Sequence, residues 1–349
     1  MLNVYGSLLR TTDLATKDQF GNDTEASNRY TLLGGFGYAQ SLEDLPCTAG
    51  IGFFAQGGSG GIFKNLNTAF GTKDEFSALF SIAKFTPGIG CKINDALSIG
   101  GSFGLVYAQA NEKIFPDTLG AGLELKNMSS LRTSLKLGVQ YKVSPDLTLA
   151  ATFTEKTELP LSGGKLRLKT GANSYATYQD VKLTGLALPR EIGLGTAYQA
   201  SDDVLLSIKL NWINWADAFI DNQLTASNPN APAPQVLRLN GTSNWHNQWV
   251  IAAGTAYRYD DKTTLYAGYN YGKNPILQAH TTPLIAGIFE HHITLGGAYQ
   301  YSPLWKFAGG IEYDANKKVD YTNLELPFGA NSQLRNEAIF LHFMASRKW

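Results

Sequence analysis

The chain has 349 residues, 44% hydrophobic and only 17% charged, with 36 glycines, 17 tyrosines and a formal net charge of zero. The charged fraction lies below the roughly 25% of soluble domains, and no basic excess points to nucleic acid as a partner. Apolar runs such as Val250-Ile251-Ala252-Ala253 fall far short of the roughly 18 residues of a spanning helix, so a membrane protein of this sequence must be a closed barrel.

Alternation of large apolar residues with small or polar ones, the period of a strand, recurs along the chain. It predicts fourteen segments at about 1–10, 29–41, 47–58, 78–93, 96–112, 130–143, 147–160, 189–200, 203–219, 245–260, 263–275, 290–301, 304–321 and 335–349. No export signal precedes the first, so the sequence is read as mature, truncated or mis-started. The third runs Ile51-Gly52-Phe53-Phe54-Ala55-Gln56 into Gly57-Gly58-Ser59-Gly60-Gly61. Glycines ending a strand mark a bulge or weakened pairing, or simply a flexible loop start. The sixth alternates most cleanly: Leu131, Thr133, Leu135, Leu137, Val139, Tyr141 and Val143 point one way, and Arg132, Ser134, Lys136, Gly138, Gln140 and Lys142 the other. The twelfth puts Ile293, Leu295, Tyr299 and Tyr301 on its greasy face with His292 and Thr294 behind. The thirteenth puts Trp305, Phe307, Ile311 and Tyr313 out and Lys306, Glu312 and Asp314 in.

Six connections are tight, near Leu45, Asp95, Pro145, Asp202, Asp261 and Pro303. The other seven are mostly long, and the two kinds alternate without a miss. Aromatic residues such as Tyr257, Tyr259, Tyr299, Tyr301 and Trp305 gather beside the tight turns, where amphipathic rings form an interfacial girdle. A soluble β-protein would need the turn asymmetry to be a coincidence. The reading is an all-β fold, a 14-stranded antiparallel transmembrane β-barrel of the bacterial outer membrane, with both termini on the short-turn, periplasmic side.

Leu188-Pro189-Arg190-Glu191-Ile192-Gly193-Leu194-Gly195-Thr196-Ala197-Tyr198, with the next strand ending Asn211-Trp212-Ile213-Asn214-Trp215, resembles strands of the FadL/TodX family. So do Thr264-Leu265-Tyr266-Ala267-Gly268-Tyr269-Asn270-Tyr271 before Asn274-Pro275-Ile276, then Ile293-Thr294-Leu295-Gly296-Gly297-Ala298-Tyr299, and Pro87 with Ile93-Asn94-Asp95-Ala96-Leu97-Ser98-Ile99-Gly100. The likeness runs from about residue 30 to the end. The resemblance implies outer-membrane transport of long-chain fatty acids or aromatic hydrocarbons. Ligand would land in a groove between the third and fourth long loops, drop into a lumen pocket and leave sideways through a kink in the third strand. It implies no enzymatic step and no cofactor. Two departures stand out. No counterpart of the family's N-terminal hatch, with its Asn-Pro-Ala motif, precedes Leu2, so residues 1–349 are expected to be one barrel without a separate hatch domain. Arg347 stands in the last strand where an apolar residue would fit.

The candidate residues follow. The third long loop, 115–129, holds Phe115, Leu119, Leu123, Leu125 and Met128. The fourth, 159–188, holds Leu159, Leu161, Leu166, Leu168, Tyr175 and Tyr178. Such apolar clusters suggest a binding surface, or else pack the loops together. Gly57, Gly58, Gly60 and Gly61 would form the lateral opening. Parity places Leu33, Phe54, Val106 and Val250 in the lumen, where apolar groups suit greasy solutes. The same parity places Arg132, Lys136, Lys209 and Arg258 there, either to meet a carboxylate or to pair with lumen acids such as Glu312. Cys47 opens the third strand and Cys91 closes the fourth with matching parity. A cross-strand disulfide is feasible there in an oxidising compartment, given Cα atoms within roughly 7 Å. Glu290-His291-His292 is not expected to chelate a metal, because adjacent strand residues face opposite ways.

The expected partners are a hydrophobic small molecule and outer-membrane lipid with lipopolysaccharide, around a monomer. The other readings are a general diffusion porin, which would carry rings of opposed charge and an inward loop; an outer-membrane lipase or protease barrel, which would need a Ser or Asp/His constellation; and an adhesin.

Overall fold

In the computed structural model, which describes residues 1–120, 122–285 and 287–349, fourteen antiparallel strands close into a barrel. They are β1 (Leu2–Thr11), β2 (Tyr30–Ser41), β3 (Cys47–Ser59), β4 (Lys73–Lys92), β5 (Leu97–Ile114), β6 (Leu123–Lys142), β7 (Leu147–Thr154), β8 (Glu191–Gln199), β9 (Val204–Ile213), β10 (Gln248–Arg258), β11 (Thr263–Gly272), β12 (His291–Gln300), β13 (Trp305–Tyr321) and β14 (Ser332–Arg347). Closure is direct: β1 pairs with β14 from Leu2↔Arg347 to Thr11↔Ala338, and with β2 on its other side. Each strand has a paired neighbour on both sides, so the sheet closes on itself, as a sheet in lipid must.

The outward face inverts the burial of a soluble protein. Leu131, Leu135, Leu137, Val139 and Tyr141 are exposed while Ser134 behind them is buried, and Ile293, Leu295, Phe307 and Ile311 are likewise exposed. These side chains meet acyl chains rather than water. Tight turns are closed by short polar side chains at their first positions. Asn94 Oδ1 accepts from the N–H groups of Ala96 and Leu97, Ser144 Oγ from Asp146 and Leu147, and Asp260 Oδ1 from Lys262 and Thr263. This is the Asx and Ser turn chemistry that lets a short connection reverse a strand. The departure at Arg347 has a local reason: its guanidinium lies 5.5 Å from the ring centroids of both Trp305 and Trp349. At the interfacial rim a cation on an aromatic face is stable.

Several strands differ in length from the sequence expectation. β6 starts at Leu123 rather than near 130, because a hairpin from the fourth loop (Lys165–Gly171 and Ser174–Thr184) pairs onto it through Lys165↔Lys126 and Leu168↔Leu123. That ladder continues through Asp221–Pro229 and Val236–Thr242 of the fifth loop, so the wall rises well past the membrane on this side. β9 stops at Ile213, where Trp215–Ala218 turn into one turn of helix. β11 stops at Gly272, ahead of Pro275, which has no N–H to donate.

Two apolar clusters fill the extracellular end. The first takes Leu14, Phe63, Phe76, Phe115, Trp245, Ile288 and Phe328, with residues from every long connection except the fourth. The second joins Val106 and Ala108 of β5 to Leu125, Met128, Leu166 and Tyr178.

Candidate functional site

Pairing in the wall stops early along the seam between β2 and β3. β2 and β3 pair from Ser41↔Thr48 up to Gly35↔Phe54 and no further. Above that point β2 still pairs with β1, as far as Arg10↔Tyr30, and β3 still pairs with β4, but the two no longer pair with each other. Pairing between β3 and β4 slips by one residue between Ala55 and Gly57, and Gly57 has a φ of +154°, a bulge that bends the strand away from β2. The chain meets again only beyond the strands, where Ser27 N–H donates to Ile62 O at 2.8 Å and Asn28 bonds Gly60 O and Ile62 N–H. The gap lies between residues 30–34 and 55–59. Its rim is apolar: Leu32 is 78% exposed on the outside, Phe36 stacks on Phe53 below it, and Phe54 stacks on Tyr5 inside at 6.2 Å. Unpaired backbone in hydrocarbon costs several kcal/mol per group, so such a seam persists only where it opens onto water or a ligand.

The four glycines differ. A Cβ at Gly57 would meet nothing within 4 Å, whereas one at Gly58 would lie 2.5 Å from Phe80 O and one at Gly60 only 1.9 Å from Ala78 O. Gly58 and Gly60 let β3 lie close against β4. Gly57 supplies the bulge conformation, and a Cβ at Gly61 would meet the Phe63 ring at 2.5 Å.

The lumen behind the seam is roomy because its wall is built from small residues. At the periplasmic end a cavity of about 920 Å³ is lined by Gly90, Gly100, Ser102, Gly138 and Ala150, with Lys136 among them. Lys209 is exposed, and among the described residues neither Lys136 nor Lys209 makes an ion pair. Lys84, which the same parity rule puts inward, is within electrostatic reach of Lys136 and Glu191. Arg132 turns back to its neighbour's carbonyl, Leu131 O, at 3.1 Å. Arg258 is not a free lumen cation: it binds Asp203 at 2.9 Å and Asp202 O at 2.8 Å, at the turn between β8 and β9. Nor does Glu312 pair with these cations; its partners are His292 and His342.

Most of the apolar loop residues pack against one another. Leu123, Leu125, Met128, Leu161 and Leu166 are all buried in the second cluster, beside Val106. The hairpin that lengthens β6 sets their side chains face to face. Leu119 alone of the candidate loop residues stays open, at 52% exposure, near the equally exposed Phe70, whose position had no distinguishing sequence signal. Leu33 is half-buried on β2 and Val250 on β10. Cys47 faces Cys91 across the β3–β4 ladder and a disulfide joins them, with Cα atoms 4.0 Å apart.

A family model of outer membrane protein transport proteins (OMPP1/FadL/TodX) matches residues 48–287, more than half of the chain. The chain belongs to this OMPP1/FadL/TodX family. Membership places the barrel in the outer membrane among transport proteins. Solved structures share the fold of this FadL/TodX-family chain. The Pseudomonas putida toluene transporter TodX is 17% identical, with a TM-score of 0.82 over 100% of this chain and 90% of that one. The Ralstonia pickettii toluene transporter TbuX is 16% identical, with a TM-score of 0.76 over 99% and 89%. A Pseudomonas aeruginosa FadL homologue is 15% identical, with a TM-score of 0.74 over 99% and 89%. No curated protein sequence matches the chain.

Proposed function

We propose that this barrel conducts hydrophobic small molecules passively across the outer membrane, either long-chain fatty acids or aromatic hydrocarbons, and releases them sideways between β2 and β3. The interrupted seam is the observation that supports this reading: residues 30–34 of β2 and 55–59 of β3 keep their outer neighbours but do not pair with each other. An apolar rim at that gap suits a greasy solute moving into the bilayer. A porin passing sugars would gain nothing from it. Loop residues Phe70 and Leu119 offer the exposed apolar landing surface, and Lys84, Lys136 and Lys209 would receive a carboxylate if the cargo has one. The barrel acts as a monomeric unit over 1–349 in lipid and lipopolysaccharide, with no chemical step.

The test is uptake into proteoliposomes of a long-chain fatty acid, an aromatic hydrocarbon and a sugar. Hydrophobic solutes should accumulate and the sugar should not. Gly57→Val should slow uptake, since a β-branched residue resists a φ of +154° and relaxes the bulge toward a regular ladder. Equal passage of sugar and hydrocarbon, or unchanged uptake by a properly folded Gly57→Val barrel, would overturn the reading. Lys136→Gln with Lys209→Gln should slow the fatty acid and leave the hydrocarbon alone.

A further inference from the structure

Inward side chains on β1, β12, β13 and β14 form a second polar centre that the transport reading does not use. His292 Nδ1 lies 2.5 Å from Asp314 Oδ1 and 3.5 Å from Glu312 Oε1. His342 Nε2 lies 3.2 Å from Glu312 Oε2, and Ser7 Oγ is 2.8 Å from His342 Nδ1. Asp314 is buried, and among the described residues neither carboxylate pairs with a lysine or arginine. Two carboxylates therefore face each other with only imidazoles to balance them, in a wall whose lumen side holds a cavity of about 400 Å³ reached by Ser7, Thr294 and His342.

We propose that His292, Glu312 and Asp314 bind one divalent transition-metal ion of the zinc class, with His342 and Ser7 as positioning residues. One donor atom from each of the three lies within 4.8 Å of the others. Tetrahedral ligands at about 2.1 Å from zinc stand roughly 3.4 Å apart, so small side-chain rotations close the set. One imidazole nitrogen and two carboxylate oxygens suit zinc better than the hard, all-oxygen cages of magnesium or calcium. The ion displaces the Nδ1 proton that His292 gives to Asp314, and that proton leaves to solvent. Water completes the fourth position. The chain Ser7 to His342 to Glu312 has the form of an outer shell: the serine hydroxyl donates to Nδ1, so Nε2–H donates to the Glu312 carboxylate and fixes its orientation.

The full chain, folded in detergent and freed of metal with a chelator, would be equilibrated with zinc chloride, nickel chloride or magnesium chloride. Bound metal is then measured by mass spectrometry and affinity by calorimetry. The expected result is one zinc per barrel, nickel bound more weakly or comparably, and no retained magnesium. His292→Gln and Glu312→Gln should abolish stoichiometric binding. His342→Ala and Ser7→Ala should weaken it roughly ten- to a hundred-fold. His291→Ala should change nothing, because His291 points outward to Tyr269. Heat-modifiable gel mobility shows that each variant is folded, and Glu312→Gln stands in if His292→Gln does not fold. Zinc retained in full by either folded variant, no zinc bound by wild type, or magnesium held in preference would overturn the proposal. None of these readouts depends on what the barrel transports.

Discussion

At the residue scale the clearest control is electrostatic pairing just outside the membrane. Glu290, at the end of the sixth long loop, would be raised by burial. The ammonium of Lys317 at 2.7 Å and the N–H of Asn274 override that and hold its carboxyl below the ordinary glutamate range. A depressed folded pKa gives stability that is complete above the unfolded value of about 4.3 and is lost as pH falls through the folded value. Acidification below about pH 4.3 should therefore release this loop first, seen as rising hydrogen exchange over residues 273–290. Glu290→Gln should show the same exchange already at neutral pH. Lysine 317 without its partner would then sit half-buried beside the cap, which is why the effect should spread to neighbouring loop amides. Arg347 is the complementary case. What reads in the sequence as a misplaced charge is a rim cation held on two tryptophan faces. Its tolerance depends on Trp305, which lies in another strand.

Among the elements, β3 carries a backbone irregularity at Gly57, and its glycine run advertises it. Gly60→Ala would press a Cβ against Ala78 O, a backbone atom that can yield only by opening the β3–β4 ladder. The expected loss is about 1–3 kcal/mol, measured as a lowered unfolding midpoint. Gly57→Ala meets no neighbour, so its cost is confined to backbone strain. The disulfide ties the same two strands at the opposite end, with a sequence separation of 44. Chain-entropy arguments bound its contribution at about 4 kcal/mol, and Cys47→Ser should lower the midpoint while leaving the strand content by circular dichroism unchanged. On β6 the two faces should respond differently. Leu137→Arg places a cation in acyl chains at about 2–4 kcal/mol, whereas Lys136→Gln faces the lumen and should be nearly silent in equilibrium folding into phospholipid.

The molecule as a whole is a cylinder whose long loops pack into two apolar clusters at one end. Phe76 touches Phe115 and Phe328 edge-on or tilted at 5.5 and 4.8 Å, so three loops or strand ends share one aromatic core. Phe76→Ala should cost about 3–5 kcal/mol. By loosening the cap it should also raise single-channel conductance to small ions in planar bilayers; an unchanged conductance would mean that the cap does not gate the lumen. The cap also explains why the loops read as binding surfaces. Their leucines and phenylalanines are apolar because they fill a core across the barrel mouth, and composition cannot distinguish a packed loop from a landing site.

Strand number, the direction of each face, the turn–loop asymmetry and the glycine run of β3 were all legible in the amino-acid order, because side-chain direction in a strand depends only on local parity. Parity also put His292, Glu312 and Asp314 on the inner face. What parity leaves open is register: which inward residue meets which across the ladder. His292 faces Asp314 because β12 and β13 pair in one alignment among many, and Arg258 meets Asp203 through a turn two strands away in the chain. Register is set by the closure of the whole barrel and by loop packing, both sums of long-range contacts. Tertiary structure alone therefore decided how far β2 and β3 stay paired, which cations stay free, and which acids and histidines come together.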